Sequence, residues 1–140
     1  MPLSKQQLDA LSARPQPNQA PFTLELHWPP SLNETYGGRR SGGLYMKAEA
    51  KSWRKANAWL IRTQLPHGFQ TIDGPVSVHI EFTPPAGRGD IDNRIKCTLD
   101  VLERAAVLQN DKQVKSLRVE WKAPKKPGFV RLSVQPINTP

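Results

Sequence analysis

Nine residues, PVSVHIEFT from Pro75 to Thr83, constrain this chain more than any other stretch. Val76, Val78, Ile80 and Phe82 alternate with polar partners, so an extended backbone turns all four to one side. Such a face has to be covered, which requires a sheet with something packed on it. FTLELHW, Phe22 to Trp28, alternates in the same way and is stopped by Pro29 and Pro30, since proline removes a ladder donor. Ser116–Trp121 and Phe129–Val134 supply two more strands, joined by APKKPG as a hairpin with a basic tip.

Helices are the natural cover. Met46 to Leu65 contains no glycine or proline, and Ala50, Trp53, Leu60 and Ile61 recur at helical spacing opposite Lys47, Lys51, Arg54 and Arg62. A second helix is predicted from Asp92 onward, with Asp92 as N-cap and Ile95, Leu99, Leu102 and Ala106 as its buried stripe, closed by LQNDKQ. Between the first strand and the first helix, ETYGGRRSGGL reads as a flexible basic loop able to follow a phosphate backbone. The order strand, helix, strand, helix, strand, strand predicts an α+β fold. It is a single small domain, a mixed sheet of about four strands with two main helices. No repeat is present. Residues 1–20, rich in Pro, Gln and Ser, read as a flexible tail, and 21–140 as the folded domain.

At 140 residues the chain has room for one modest core. No apolar run reaches the roughly 20 residues of a membrane helix, and the N-terminus lacks the apolar segment of a secretion signal. A lone cysteine, Cys97, forms no internal disulfide and reads as a packed small side chain. A cytoplasmic protein is expected. Lys and Arg number 20 against 12 Asp and Glu, giving a formal charge of +8. The whole-molecule field should attract polyanions, nucleic acid first among them.

Against that background RGDIDNRIKCTLDVLE, Arg88 to Glu103, is anomalous, because it sets Asp90, Asp92 and Asp100 around Lys96. Asp90 and Asp92 are two apart at the junction of loop and helix, so their carboxylates leave on one side. Asp92, Lys96 and Asp100 follow at four-residue steps along one helix face. Asp111 comes after the helix, beside Asn110, where the chain turns back into the sheet and could bring a third carboxylate to the same spot. An oxygen-only cluster suits Mg²⁺, which usually keeps several waters and binds one or two carboxylates plus substrate phosphates. A metal so held can polarise a phosphodiester and generate hydroxide. The same residues also admit a plainer account, with Asp92 only an N-cap and Asp92, Lys96 and Asp100 only surface ion pairs. A D-x-D pair alone favours that account. Glycosyltransferases also hold metal with D-x-D, but this chain is too short for their nucleotide-sugar fold.

The stretch DIDNRIKCTLDVLERAAVLQND resembles the core of the RusA family of Holliday-junction resolvases: D-x-D-N-x-x-K, an acid four residues on, and a further Asp after the helix. These positions are Asp90, Asp92, Asn93, Lys96, Asp100 and Asp111. LHWPPSLNETY, Leu26 to Tyr36, is similar to the family's opening strand and its W-P-P-S-x-N block. The resemblance spans about Phe22 to the end. It implies a Mg²⁺-dependent endonuclease, with Mn²⁺ as a substitute, acting on four-way DNA junctions as a homodimer. By the same resemblance Asp90, Asp92 and Asp111 are the catalytic metal-binding set and Lys96 is needed for activity; Asn93 and Asp100 read as supporting residues, Asp100 by anchoring Lys96 through an i,i+4 pair. A C2 dimer would match the two-fold symmetry of the junction. Where the family often has a second acid before its last Asp, this chain has Asn110, one negative charge fewer.

Arg39, Arg40, Lys47, Lys51, Arg54, Arg88 and Arg94 are the candidate phosphate contacts, with Lys125 and Lys126 at the hairpin tip as weaker ones. Trp28, Trp53, Trp59 and Trp121 read as core or dimer-interface aromatics. His27, His67 and His79 show no ligand spacing. The competing function is a basic nucleic-acid-binding module without catalysis, whose acid cluster is structural; a nuclease acting on flaps or forks lies between the two.

Overall fold

The computed structural model describes residue 4 and residues 21–137. The proposed tail therefore lies almost wholly outside the described residues. Along the chain run β1 (Phe22–His27), a one-turn helix α1 (Leu32–Thr35), β2 (Tyr36–Gly38), β3 (Leu44–Met46), α2 (Ala48–Gln64) and β4 (Val76–Thr83). A 3-10 turn (Ile91–Arg94) then runs into α3 (Ile95–Arg104), and a second 3-10 turn (Asp111–Gln113) leads into β5 (Val114–Trp121) and finally β6 (Phe129–Pro136). Among the described residues no helix is long and apolar enough to cross a membrane.

Four strands form one mixed sheet in the order β1-β6-β4-β5. β4 takes an inner place because its apolar face is the most complete: Val76, Val78, Ile80 and Phe82 are all fully buried. Leu24 and Leu26 of β1 and Val130, Leu132 and Val134 of β6 continue that face. Ala58 and Ile61 of α2 and Val101 and Leu102 of α3 close over it. The opposite face carries charge, including the Arg131–Glu25 pair at 3.0 Å and His79 Nε2 at 2.7 Å from Glu120 Oε1.

The α+β class, the single domain and the four-stranded sheet match the sequence reading, but the closing hairpin does not. β5 pairs with β4 in parallel and β6 pairs with β4 antiparallel, so the two flank β4 and do not pair with each other. The β4–α3–β5 segment is a crossover, the connection that a parallel pair needs. Beyond β5 the chain passes over the end of β4, where Phe82 and Pro84 carbonyls accept from the Lys122 and Lys125 amides. Lys125 and Lys126 thus lie on a crossing loop.

Helix details differ as well. α3 starts at Ile95, capped by the backbone of Arg94 with no side-chain bond, so Asp92 is not its N-cap but sits inside the preceding 3-10 turn. Its buried stripe is Cys97, Thr98, Val101 and Leu102, with Ile95 and Leu99 packed at the edge. Ala106 lies past the helix end, exposed, at φ 60. On α2 the buried positions are Ala50, Asn57, Ala58 and Ile61, whereas Trp59 is 69% exposed and belongs to no core. Asn57 bridges α2 to β1, accepting from the His27 amide at 2.9 Å and donating to the Trp53 carbonyl at 2.8 Å.

Candidate active site

The acid turn is anchored to the first strand's exit. Gly89 holds φ +112, and a Cβ there would come within 3.2 Å of the Arg94 guanidinium and 3.3 Å of the Trp121 ring. Only glycine meets both demands without strain. Asp90 follows in extended backbone as the cap of the 3-10 turn, and Asn93 donates from Nδ2 to Asp90 Oδ2 at 3.3 Å. Arg94 turns inward: its Nε donates to the Pro29 carbonyl at 2.9 Å, and its guanidinium lies 4.9 Å over the Trp28 ring. With 12% of its side chain exposed and Glu34 at 3.8 Å, Arg94 is committed to these structural partners. Trp28 in turn meets Phe82 and Trp121 edge-on, at 5.9 and 5.7 Å. The W-P-P block and the D-x-D block, far apart in sequence, are therefore one packed unit.

Asp90, Asp92 and Lys96 are exposed. Along α3, Lys96 Nζ lies 3.8 Å from Asp100 Oδ1, the i,i+4 pair that the spacing predicts. Asp100 is only 21% exposed. Burial raises its pKa above the ordinary carboxylate value, Lys96 opposes that, and the neighbouring Asp111 and Glu103 add to it. Asp111 thus returns to within electrostatic reach of α3. It is placed there by Asn110, whose side chain accepts from the Lys112 amide at 2.8 Å, while Gln113 accepts from the Asn110 amide at 2.9 Å in a reciprocal cap. Cys97, beneath this surface, has its thiol pushed up by burial to about 12 and is not a nucleophile at neutral pH.

Beside Asp100 opens a polar cleft of about 380 Å³ lined by Tyr36, Met46, Arg54, Asp100, Glu103 and Arg104. It joins the β2–β3 hairpin to α2 and α3. Of the sequence-predicted residues, Arg54 and Asp100 line this cleft, while Lys96 pairs with Asp100, Asp111 lies within its electrostatic reach, and Asp90 and Asp92 do not line it. Arg39, Arg40 and Lys51 are exposed on the hairpin tip and on α2, and Arg88 is exposed just before the acid turn. Lys47 donates to the Asn33 carbonyl at 3.0 Å. Sequence reasoning missed Glu103 and Arg104, which leave α3 one turn beyond Asp100; the 3.6-residue period was the available signal. Tyr36 and Met46 reach the cleft through tertiary folding alone.

The donors are carboxylate oxygens, which suit a hard divalent cation. Among the described residues no three His, Cys, Asp or Glu side chains stand close enough to enclose a metal ion. The half-buried Asp100, crowded by Asp111 and Glu103, is nevertheless a local excess of negative charge of the kind that a divalent ion offsets.

Fold and site together define a small basic α+β protein that presents an acid turn and a carboxylate-bearing cleft beneath a positively charged helix. The family model "Endodeoxyribonuclease RusA" matches residues 27–135. Among curated proteins, a "Crossover junction endodeoxyribonuclease RusA" of Escherichia coli is 32% identical over 115 residues, covering 81% of this chain and 92% of the relative. One from Enterobacteria phage 82 matches to the same extent. Another, from Aquifex aeolicus, is 28% identical over 102 residues, 72% of this chain and 79% of its own. The chain belongs to the RusA family.

Proposed function

We propose that this chain is a divalent-metal-dependent endodeoxyribonuclease that resolves four-way DNA junctions by paired, symmetric nicks, working as a homodimer in the cytoplasm. The relatives' names support the activity. The structural observation that carries it is the return of Asp111 to the neighbourhood of Asp100, the residue that pairs with Lys96.

Asp90, Asp92 and Asp111 would hold Mg²⁺, with Mn²⁺ as substitute; among the described residues no three such side chains enclose a site as they stand, so binding would draw these carboxylates together. When bound, the ion would polarise the scissile phosphate and lower the pKa of water. The chain's own residues do the rest. Asn93 fixes one Asp90 oxygen. Lys96 neutralises charge developing on the phosphoryl oxygens, held in place by its pairing with Asp100. Arg39, Arg40, Lys47, Lys51, Arg54 and Arg88 bind backbone phosphates, whereas Arg94 positions the acid turn.

The test is incubation of the protein with a labelled mobile four-way junction, a matched duplex and a flap, in Mg²⁺ or EDTA, with Asp92→Asn alongside. Paired nicks in the junction only, lost in EDTA and in the variant, with the variant's junction binding kept, are expected. Tight binding with no cut in Mg²⁺ or Mn²⁺ would replace the enzyme with a DNA-binding relative, and equal cutting of the flap would broaden its substrate.

A further inference from the structure

The hairpin between α1 and α2 has a construction that phosphate binding does not explain. β2 and β3 pair only with each other, in the register Tyr36↔Met46, Gly37↔Tyr45, Gly38↔Leu44. Opposite Leu44 and Tyr45 the partner strand offers only glycine. A Cβ on Gly37 would fall 2.6 Å from a ring carbon and the hydroxyl of Tyr45, so the outer end of that side chain lies against bare backbone. Successive side chains of a strand leave on opposite faces. Leu44 therefore shares the face of Tyr36 and Met46, which line the cleft beside Asp100, and Tyr45 occupies the other. Both are open to solvent, Leu44 at 71% and Tyr45 at 41%.

The ribbon is also stiffened at both ends. At the tip the Arg39 amide donates to Gly43 and the Gly42 amide to Arg39, at 3.1 and 3.0 Å; at the base the Lys47 amide donates to Thr35 at 2.8 Å. Arg39 and Arg40 crown the tip, exposed. A thin ribbon with one exposed large apolar side chain on each face and two cations at its point is shaped for a place where apolar surface and phosphates meet. Continuous duplex offers phosphates and groove edges only. A branch point adds the flat ends of base pairs whose stacking is interrupted, and apolar side chains cover such surfaces.

We propose that the β2–β3 hairpin is the wedge that distinguishes a DNA branch point from continuous duplex, with Leu44 and Tyr45 covering base-pair ends on either side and Arg39 and Arg40 gripping the flanking phosphates. This rests on the junction-nuclease reading above. The occupant is DNA because the tip's charge is complementary to it. Arg39 and Arg40 supply attraction that any duplex shares, and Leu44 and Tyr45 supply the discrimination.

The test measures binding in EDTA to an immobile four-way junction carrying 2-aminopurine beside the branch, and to a duplex of the same sequence. The proteins are wild type, Leu44→Ser, Tyr45→Ser, Tyr45→Phe, and Arg39→Gln with Arg40→Gln. Leu44→Ser and Tyr45→Ser should each weaken junction binding roughly tenfold, leave duplex binding within about twofold of wild type, and suppress the 2-aminopurine change seen on binding. Tyr45→Phe should behave as wild type, and the arginine pair should weaken junction and duplex alike. An unchanged ratio of junction to duplex affinity in both serine variants, in a protein whose wild type still prefers and nicks the junction, overturns the wedge alone. A wild type that neither prefers nor cuts the junction overturns the nuclease reading and the wedge with it. Leu44 is 71% exposed and outside the core, so a folded Leu44→Ser keeps the comparison valid even where Tyr45→Ser loosens the ribbon.

Discussion

Asp100 shows how one residue's surroundings set a measurable balance. Its pKa is raised first by burial, with Asp111 and Glu103 adding and Lys96 opposing. An acid whose folded pKa exceeds its unfolded one stabilises the fold only while protonated, and that contribution disappears as pH rises through the folded value. At neutral pH the ionised Asp100 is therefore a net cost. Asp100→Asn should raise Tm at pH 7, and the gain should vanish below about pH 4, where the wild-type carboxyl is protonated. Melting curves of both proteins across that range decide it; a variant less stable at pH 7 would show that the Lys96 pair outweighs burial. Ala106 offers a second case. It ends α3 at φ 60, where a Cβ costs about 1–2 kcal/mol. Glycine there loses about 0.5–1 kcal/mol to unfolded-state entropy. The relief is the larger, so Ala106→Gly should stabilise by about 0.5–1 kcal/mol in denaturant unfolding, with the m value unchanged.

At the scale of elements, local periodicity was legible and non-local pairing was not. β1 and β4 declared themselves by alternation, and the Lys96–Asp100 pair by its four-residue step. The β5–β6 hairpin failed because nothing within the two strands specifies a partner; β4, with both edges free, takes both. β2 and β3 were hidden in a glycine-rich segment too short to show a period. The start of α3 was misplaced because Asp92 is a good cap by type, while Gly89 and Arg94 fix the turn through contacts with Trp121, Pro29 and Trp28. That turn carries the next prediction. Gly89→Ala places a Cβ against Arg94 and Trp121 in a backbone region that suits glycine, at a cost of about 1–3 kcal/mol. Since Asp90 is the next residue, junction cleavage should fall further than the lost stability explains. Cleavage measured well below Tm would separate the two, and wild-type rates in a destabilised variant would detach the acid turn's geometry from activity.

Across the whole molecule, the net charge of +8 and the acid site pull in opposite directions on DNA. Attraction by scattered lysines and arginines is blind to branching, because each contact releases counterions from duplex and junction alike. Arg54 stands in the cleft beside Asp100 and Glu103, so its field there is partly cancelled. Arg39 and Arg40 stand clear on the hairpin tip. The tip should therefore dominate the salt dependence. With all six proposed phosphate contacts engaged, the slope of log K against log salt would be about −5. Arg39→Gln with Arg40→Gln should make it shallower by about 2, whereas Arg54→Gln should change it by less than 1. Anisotropy titrations from low to physiological salt, on duplex and junction, measure both slopes. Equal shallowing per arginine removed would mean that the acids of the cleft do not screen Arg54, as they would not if a cation held nearby at Asp111 had already offset their charge. Repeating the titration of wild type and Arg54→Gln with Mg²⁺ replacing EDTA then isolates the ion's effect: a filled site returns Arg54 to the DNA, and its contribution to the slope should rise toward a full unit.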